Sequence, residues 1–222
     1  MFTGIVEAVG QVVALEPKSG DLRLRIKTGK LELQDVKLGD SIATNGVCLT
    51  VIELPGDGYW ADVSVETIAN TTIGHWSVGR KVNLEKAMMP TSRLGGHIVS
   101  GHVDGVGTIV GRHSDARAER FRVQAPAELA KYIAHKGSIT VDGTSLTVNA
   151  VAGAEFELAI VPHTLAETIF AGYQVGSEVN LEVDIIARYL ERLLLGEQAA
   201  KPDGGSIDLA FLAENGFYRG DR

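Results

Sequence analysis

Slid along itself by 97 positions, the chain falls into register in three separated blocks without a gap. Met1 to Gly10 (MFTGIVEAVG) lies against Ile98 to Gly107 (IVSGHVDGVG). Ser41 to Val51 (SIATNGVCLTV) lies against Ser138 to Val148 (SITVDGTSLTV), and Val78 to Glu85 (VGRKVNLE) against Val175 to Glu182 (VGSEVNLE). Roughly a quarter of the aligned positions are identical, against about one in fifteen expected from average residue usage. One offset shared by three blocks is much harder to obtain by chance than one matching motif. The period is too long for a solenoid unit and suits a whole small domain. The sequence therefore predicts a domain over residues 1–97, a second over 98–186 and a tail over 187–222.

Within each copy the pattern is β. Leu22-Arg23-Leu24-Arg25-Ile26-Lys27 alternates strictly, which puts three apolar side chains on one face of a strand. Gly4 to Val13, Val47 to Ile52, Trp60 to Val65 and Lys81 to Glu85 continue the series, with Leu54-Pro55-Gly56-Asp57-Gly58 as a turn. The 26 Gly against 6 Pro suit short strands joined by turns. Five or six such strands in a small domain favour a closed barrel, because closure removes exposed strand edges. The expected fold is all-β: two tandem barrels followed by an amphipathic helix.

One short helix is expected in each copy, near Lys30 to Val36 and near Pro126 to His135. Pro126 is placed to open the second, and Glu128 suits the positive end of its dipole. From Val183 onward, Val183, Ile186, Leu190 and Leu193 recur at three and four residues. They form one apolar stripe on a helix that Gly196 could end. Such a stripe is buried either against its own chain or by self-association. Glu197 to Gly205 reads as a linker and Ile207 to Phe217 as a short terminal helix.

Composition removes several classes of function. A net charge of -7 argues against nucleic acid, whose phosphates need clustered Lys and Arg. Aromatic content of 6% argues against a single-strand-binding barrel that stacks bases. No run of apolar residues is long enough to span a membrane, and MFTGIVEAVG lacks the basic flank and apolar stretch of a signal peptide. A lone cysteine, Cys48, excludes intrachain disulfides and cysteine-rich metal sites. His97 and His102, five apart on extended chain, face opposite sides, so no metal is expected. The glycines of Gly101 to Gly107 miss the dinucleotide spacing, and Ser145 has no GxSxG elbow around it. A water-soluble cytoplasmic enzyme is the expectation that remains.

The candidates for chemistry follow from comparing the copies. Cys48 and its repeat mate Ser145 place a small nucleophilic side chain at one point of two similar pockets. Both also read as ordinary strand residues, and no positive neighbour that would activate the thiol can be named from sequence. His102, a group that titrates near neutrality, has Ile5 as its mate. Lys136 stands where the first copy has Gly39, and Asp184 where it has Ala87. The two halves are chemically unequal, and the unequal residues fall in the second.

MFTGIV, NGVCLTV, GGHIVSGHVDGVG, KGSITVDGTSLTV and VNLEVD, in this order and spacing, closely resemble the riboflavin synthase family with its two lumazine-binding domains. The resemblance covers about residues 1–195. It implies two six-stranded Greek-key barrels and a helix that assembles a homotrimer. It also implies transfer of a four-carbon unit between two 6,7-dimethyl-8-ribityllumazine molecules, giving riboflavin and 5-amino-6-(ribitylamino)uracil, with no cofactor and no metal. Association with lumazine synthase is a further implied partner. In the first barrel the resemblance assigns substrate contacts to Gly4, Ile5, Val6, Ser41, Cys48, Leu49, Thr50, Asp62, Val63, Ser64, Val65, Glu66 and Thr67. In the second it assigns Gly101, His102, Val103, Lys136, Ser145, Leu146, Thr147, Ile160, Val161, Pro162, His163, Thr164 and Leu165. His163 stands where the family pattern leads one to expect an acid.

The roles implied start at the acidic C7 methyl of one lumazine. His102, with Thr147 nearby, assists its deprotonation, and Ser145 or Cys48 activates C7 of the other. Phe2 covers a ring, and Asp184 orients polar groups between the barrels. The rival reading is a lumazine-binding protein that does no chemistry. The joint presence of Ser100-Gly101-His102-Val103 and Ser145-Leu146-Thr147 favours the enzyme.

Overall fold

The computed structural model describes residues 1–200. The first repeat forms β1 (Ala8–Lys18), β2 (Asp21–Lys27), β3 (Ser41–Thr44), β4 (Val47–Thr50), β5 (Gly58–Val63) and β6 (Lys81–Lys86). The second forms β7 (Gly105–Asp115), β8 (Ala118–Gln124), β9 (Ser138–Val141), β10 (Thr144–Ala152), β11 (Glu155–Ile160) and β12 (Glu178–Val183). The second closes into a six-stranded barrel in the order β10-β11-β8-β7-β12-β9. The first keeps the same ring, β4-β3-β6-β1-β2-β5, as a sheet whose ends are β4 and β5.

The difference lies in the strand that turns the corner. β10 runs on through a bulge between Val148 and Ala150 and pairs with both β9 and β11. In the first repeat the chain beyond β4 meets β5 only at a bridge between Glu53 and Trp60, before Pro55, which has no N–H to extend a ladder.

The alternation read from the sequence is what fills each interior. Leu24 and Ile26 of β2 are fully buried. On the outer face Arg23 and Arg25 pair with Glu53 and Asp57, each at 2.7 Å. Each repeat has its own core, the first around Tyr59, Ile42 and Leu84, the second around Phe121, Phe156 and Phe170.

The helices differ most from expectation. Residues 30–36 form two separate turns, closed by Leu31 N–H to the Thr28 carbonyl and Val36 N–H to the Leu33 carbonyl. Leu31, Leu33 and Val36 all pack on the core, and residues two apart cannot share one helical face. At the second expected position only the 3₁₀ segment Ala127–Tyr132 forms, directly after Pro126. The helices that do form are α1 (Val65–Asn70) and its repeat mate α2 (Pro162–Glu167). Val65 therefore opens a helix instead of ending a strand. The Ser64 hydroxyl caps α1 by accepting from Thr67 N–H, and Pro162 sits at the first turn of α2. A 3₁₀ turn follows each, Thr72–His75 and Ile169–Gly172.

Residues Met1–Asp184 form one compact unit. Within it, reciprocal bonds tie repeat to repeat. Asn83 Nδ2 donates to the Asp142 carbonyl and Asn180 Nδ2 to the Asn45 carbonyl, both at 2.9 Å. In return Thr72 N–H donates to Asn180 Oδ1 and Ile169 N–H to Asn83 Oδ1. The symmetry fails at one pair. Asn45 has as its mate the fully buried Asp142, whose carboxylate accepts from Asn180 N–H and from the Tyr173 hydroxyl. Burial pushes the Asp142 carboxyl up to about 6.

The C-terminal helix α3 (Ile185–Leu194) begins later than the stripe suggested, because Val183 is a buried residue of β12. On α3, Ile186, Tyr189, Leu190 and Leu193 are exposed along one face. A 3₁₀ turn, Gly196–Ala200, occupies the start of the expected linker, and the helix expected over 207–217 lies outside the described residues. No described helix is long and apolar enough to cross a membrane.

Candidate active site

Each repeat is entered by a short extended segment, and the two segments pair with each other. Phe2 N–H donates to the Val99 carbonyl at 2.7 Å, and Val99 N–H returns the bond to Phe2 at 3.1 Å. His97 N–H donates to the Thr3 carbonyl. Two buried carboxylates hold the segments down. Glu85 accepts from Thr3 N–H, the Thr3 hydroxyl and Gly4 N–H at 2.7, 2.8 and 2.9 Å. Its mate Glu182 accepts from Ser100 N–H, the Ser100 hydroxyl and Gly101 N–H at 2.6, 2.7 and 2.9 Å. Burial raises both carboxyls above the usual range, against the pull of these donors.

Beyond these clamps the segments cross over. Ser145 N–H donates to the Gly4 carbonyl at 2.7 Å, and Cys48 N–H to the Gly101 carbonyl at 2.9 Å. The opening of the first repeat thus lies on β10 of the second barrel, and the opening of the second lies on β4 of the first sheet. Gly4 and Gly101 have φ of +76° and +81°, and a Cβ on either would fall within 2.8 Å of Ser145 or Cys48 atoms. Only glycine meets both demands.

The resemblance grouped Gly4 with Cys48 and Gly101 with Ser145 by repeat, whereas the geometry pairs them across repeats. Phe2, expected to cover a substrate ring, is fully buried here against Ala43, Val99, Cys48 and Ala87.

Ser145 and Cys48 are not equivalent in what surrounds them. The Ser145 hydroxyl lies 2.7 Å from His97 Nδ1, and His97 Nε2 lies 3.2 Å from the Thr140 hydroxyl. Burial lowers the His97 pKa, opposed by the charge of Asp184. A neutral imidazole against a hydroxyl can take its proton as the oxygen attacks, the nucleophile and base arrangement of covalent catalysis. Cys48 is a half-buried free thiol without such a neighbour among the described residues. At the mate of Thr140 the first repeat has Ala43.

The sequence weighs His97 only as sharing a metal with His102, which their opposite faces disfavour; its pairing with Ser145 depends on the crossover. His102, preferred there, is exposed, with its N–H donating to the Ser100 hydroxyl. Its imidazole makes no hydrogen bond among the described residues. Thr147 is exposed on β10 opposite Ser138, Leu146 lies beside it facing Ile139, and Asp184 is half-buried just after β12.

The remaining candidates form two matched groups. Asp62 and Val63 end β5, and Ser64, Val65, Glu66 and Thr67 open α1. Ile160 ends β11, and Val161, Pro162, His163, Thr164 and Leu165 open α2. No hydrogen bond among the described residues joins either group to Cys48, Ser145 or His97. Ser41, Leu49 and Thr50 lie on the β3–β4 hairpin, Ile5 and Val6 follow Gly4, Val103 follows His102, and Lys136 is an exposed turn residue at φ +63°. Among the described residues no cluster of three or more His, Cys, Asp or Glu could hold a metal ion.

The profile of the lumazine binding domain matches this chain twice, at residues 3–87 and 100–184. Both copies of the repeat are therefore lumazine-binding domains. Riboflavin synthase of Photobacterium phosphoreum is 52% identical over 219 residues, covering 98% of this chain and 99% of that protein. Riboflavin synthase of Bacillus subtilis is 42% identical over 217 residues, covering 98% and 100%. The chain belongs to the riboflavin synthase family. Among solved structures, LumP complexed with riboflavin superposes with a TM-score of 0.77 at 27% identity, covering 82% of this chain and 99% of that one. LumP complexed with 6,7-dimethyl-8-(1'-D-ribityl) lumazine gives 0.75 at 26%, with the same coverage.

Proposed function

We propose that this chain catalyses the dismutation of two 6,7-dimethyl-8-ribityllumazine molecules. A four-carbon unit passes from one to the other, giving riboflavin and 5-amino-6-(ribitylamino)uracil. The observation that carries this reading is the unequal dressing of two matched positions: Ser145 against His97, and Cys48 without an imidazole. Identical substrates need opposite roles, and a duplicated frame with one altered copy supplies both. Holding the pair in register contributes on the order of 7–11 kcal/mol toward the barrier.

On this reading the Ser145 hydroxyl, its proton drawn by His97, activates C7 of one lumazine. His102, with Thr147, takes a proton from the C7 methyl of the other. Cys48 assists, Asp184 biases the His97 imidazole, and the groups at Asp62 to Thr67 and Ile160 to Leu165 hold the ribityl chains. The domains are taken as 1–97 and 98–186. The exposed stripe of Ile186, Tyr189, Leu190 and Leu193 supports a homotrimer assembled through α3. A cytoplasmic setting and association with lumazine synthase complete the reading.

Incubation of the chain with 6,7-dimethyl-8-ribityllumazine, without metal or nucleotide, is the test. One riboflavin formed per two lumazines consumed is the expected result. Lumazine bound and never consumed would overturn the reading in favour of a carrier.

A further inference from the structure

A cavity of about 860 Å³ opens on the seam where β6 and β12 begin, away from the crossed segments. Its size falls within the range of small-molecule sites. Its walls come from both repeats: Arg80 and Lys81 on one side, and Tyr173, Gly172 and Glu178 on the other. The repeat relation explains why it is open. In one of two matched places, on the wall of this same cavity, the exposed side chains of His75 and Glu178 meet, Nδ1 to carboxylate, at 2.8 Å. In the other, the mate of Glu178 is Lys81 and the mate of His75 is Gly172, around which a Cβ would find nothing within 4 Å. A surface hydrogen bond between His75 and Glu178 on one side is matched on the other by a cation facing open space.

Among the described residues the cations of the gap are held in no close salt bridge. Neither Arg80 nor Lys81 has a carboxylate partner among the described residues. Arg80 is half-buried, with its guanidinium 5.9 Å from the Trp76 ring centroid and its Nε shielded from solvent without a hydrogen-bond acceptor. Its charge reaches Asp142 and Tyr173 in the interior. A shielded guanidinium with an unused donor is costly unless an acceptor arrives from outside. The hydroxyls of Thr168 and Ser177 line the same cavity, and Leu165 and Ile169 supply apolar wall.

We propose that this cavity binds a small molecule carrying a phosphate monoester. The phosphate lies between Arg80 and Lys81, in the space left by Gly172, and the body of the ligand lies along Ala166 and Ile169. The guanidinium offers a planar set of donors that matches phosphate oxygens, and the ammonium adds a point charge. The cavity shares one wall residue, Leu165, with the proposed ribityl-binding group, but its cations stand apart from the proposed lumazine chemistry and do not depend on it.

The test is calorimetric titration of the full chain with ribose 5-phosphate, ribose and inorganic phosphate. The variants are Lys81→Gln and Gly172→Glu. The second supplies Lys81 with a neighbouring carboxylate, as Glu178 stands beside His75, and the open space around Gly172 leaves the fold intact. The expected result is binding of ribose 5-phosphate and of inorganic phosphate, none of ribose, and at least a tenfold loss of affinity in both variants. Lumazine turnover and melting temperature stay unchanged. Failure of the wild-type chain to bind either phosphate would overturn the proposal. So would binding that survives both substitutions, which would mean an adventitious ion only.

Discussion

The main-chain N–H of Ser145 donates to the carbonyl of Gly4, 2.7 Å away and across the boundary between the repeats. A residue at the very start of the chain thereby fixes the backbone on which the second repeat carries its hydroxyl. Glu85 fixes Gly4 in turn. It is the remote positioning group for a side chain 60 residues further along the sequence.

Replacing Glu85 by Gln keeps the shape and removes one acceptor from a site with three donors. The amide NH₂ would then face Gly4 N–H or the pair on Thr3. A loss of about 1–3 kcal/mol of stability is expected, with Glu182→Gln costing a similar amount. Urea unfolding of the two variants checks this, and an unchanged midpoint in either would contradict the clamp.

His97→Ala and Ser145→Ala should each lower turnover of the lumazine by about 100-fold or more, the scale of a lost general base. Because the two act as one unit, the double variant should be little worse than either single one. Cys48→Ala should cost less than either. Steady-state rates of the four variants separate this from independent roles, in which the losses would multiply.

Asp142 gives the fold a pH dependence whose sign can be worked out. Its folded pKa, about 6, lies above the unfolded value near 3.8, so the native state favours the protonated acid. The stability this provides is fully present below about pH 4 and is lost as pH rises through about 6. The total is on the order of 3 kcal/mol. In Asp142→Asn the amide reproduces the residue that the first repeat carries at Asn45 and does not titrate. Melting temperatures of wild type and variant, taken from pH 4 to 7, should therefore converge at the acid end and separate in the variant's favour above it. Parallel curves would show that Asp142 titrates normally.

The α3 stripe is the place to break assembly. Leu190→Asp with Leu193→Asp should convert the proposed trimer to monomer and abolish lumazine turnover while leaving the β circular dichroism signal intact. Sedimentation velocity reads the first effect. A trimer that survives both charges would exclude α3 as its contact.

The sequence made the duplicated β fold legible because the offset of 97 residues holds through strands, turns and the Glu85/Glu182 clamps alike. The helix expected at Lys30 to Val36 does not form because Leu31, Leu33 and Val36 all pack on the core, a spacing that no single helical face supplies. The missed helices α1 and α2 are six residues each, too short for periodicity to register. Ser64 as the cap of α1 and Pro162 in the first turn of α2 were the available signals. The role of His97 is hidden from the sequence for a different reason. Its partner hydroxyl is 48 residues away, and the pairing exists only because residues 1–4 and 97–101 lie on opposite repeats. No local pattern encodes that exchange.

The crossed segments also mean that the duplication cannot be undone by cutting the chain at its middle. A fragment ending near Gly96 would keep the piece that covers Ser145 and lack the piece that covers Cys48. The complementary fragment would be left with the opposite deficit. Each half is finished by polypeptide belonging to the other, the relation that swapped protomers have in a dimer, here made permanent by a peptide bond.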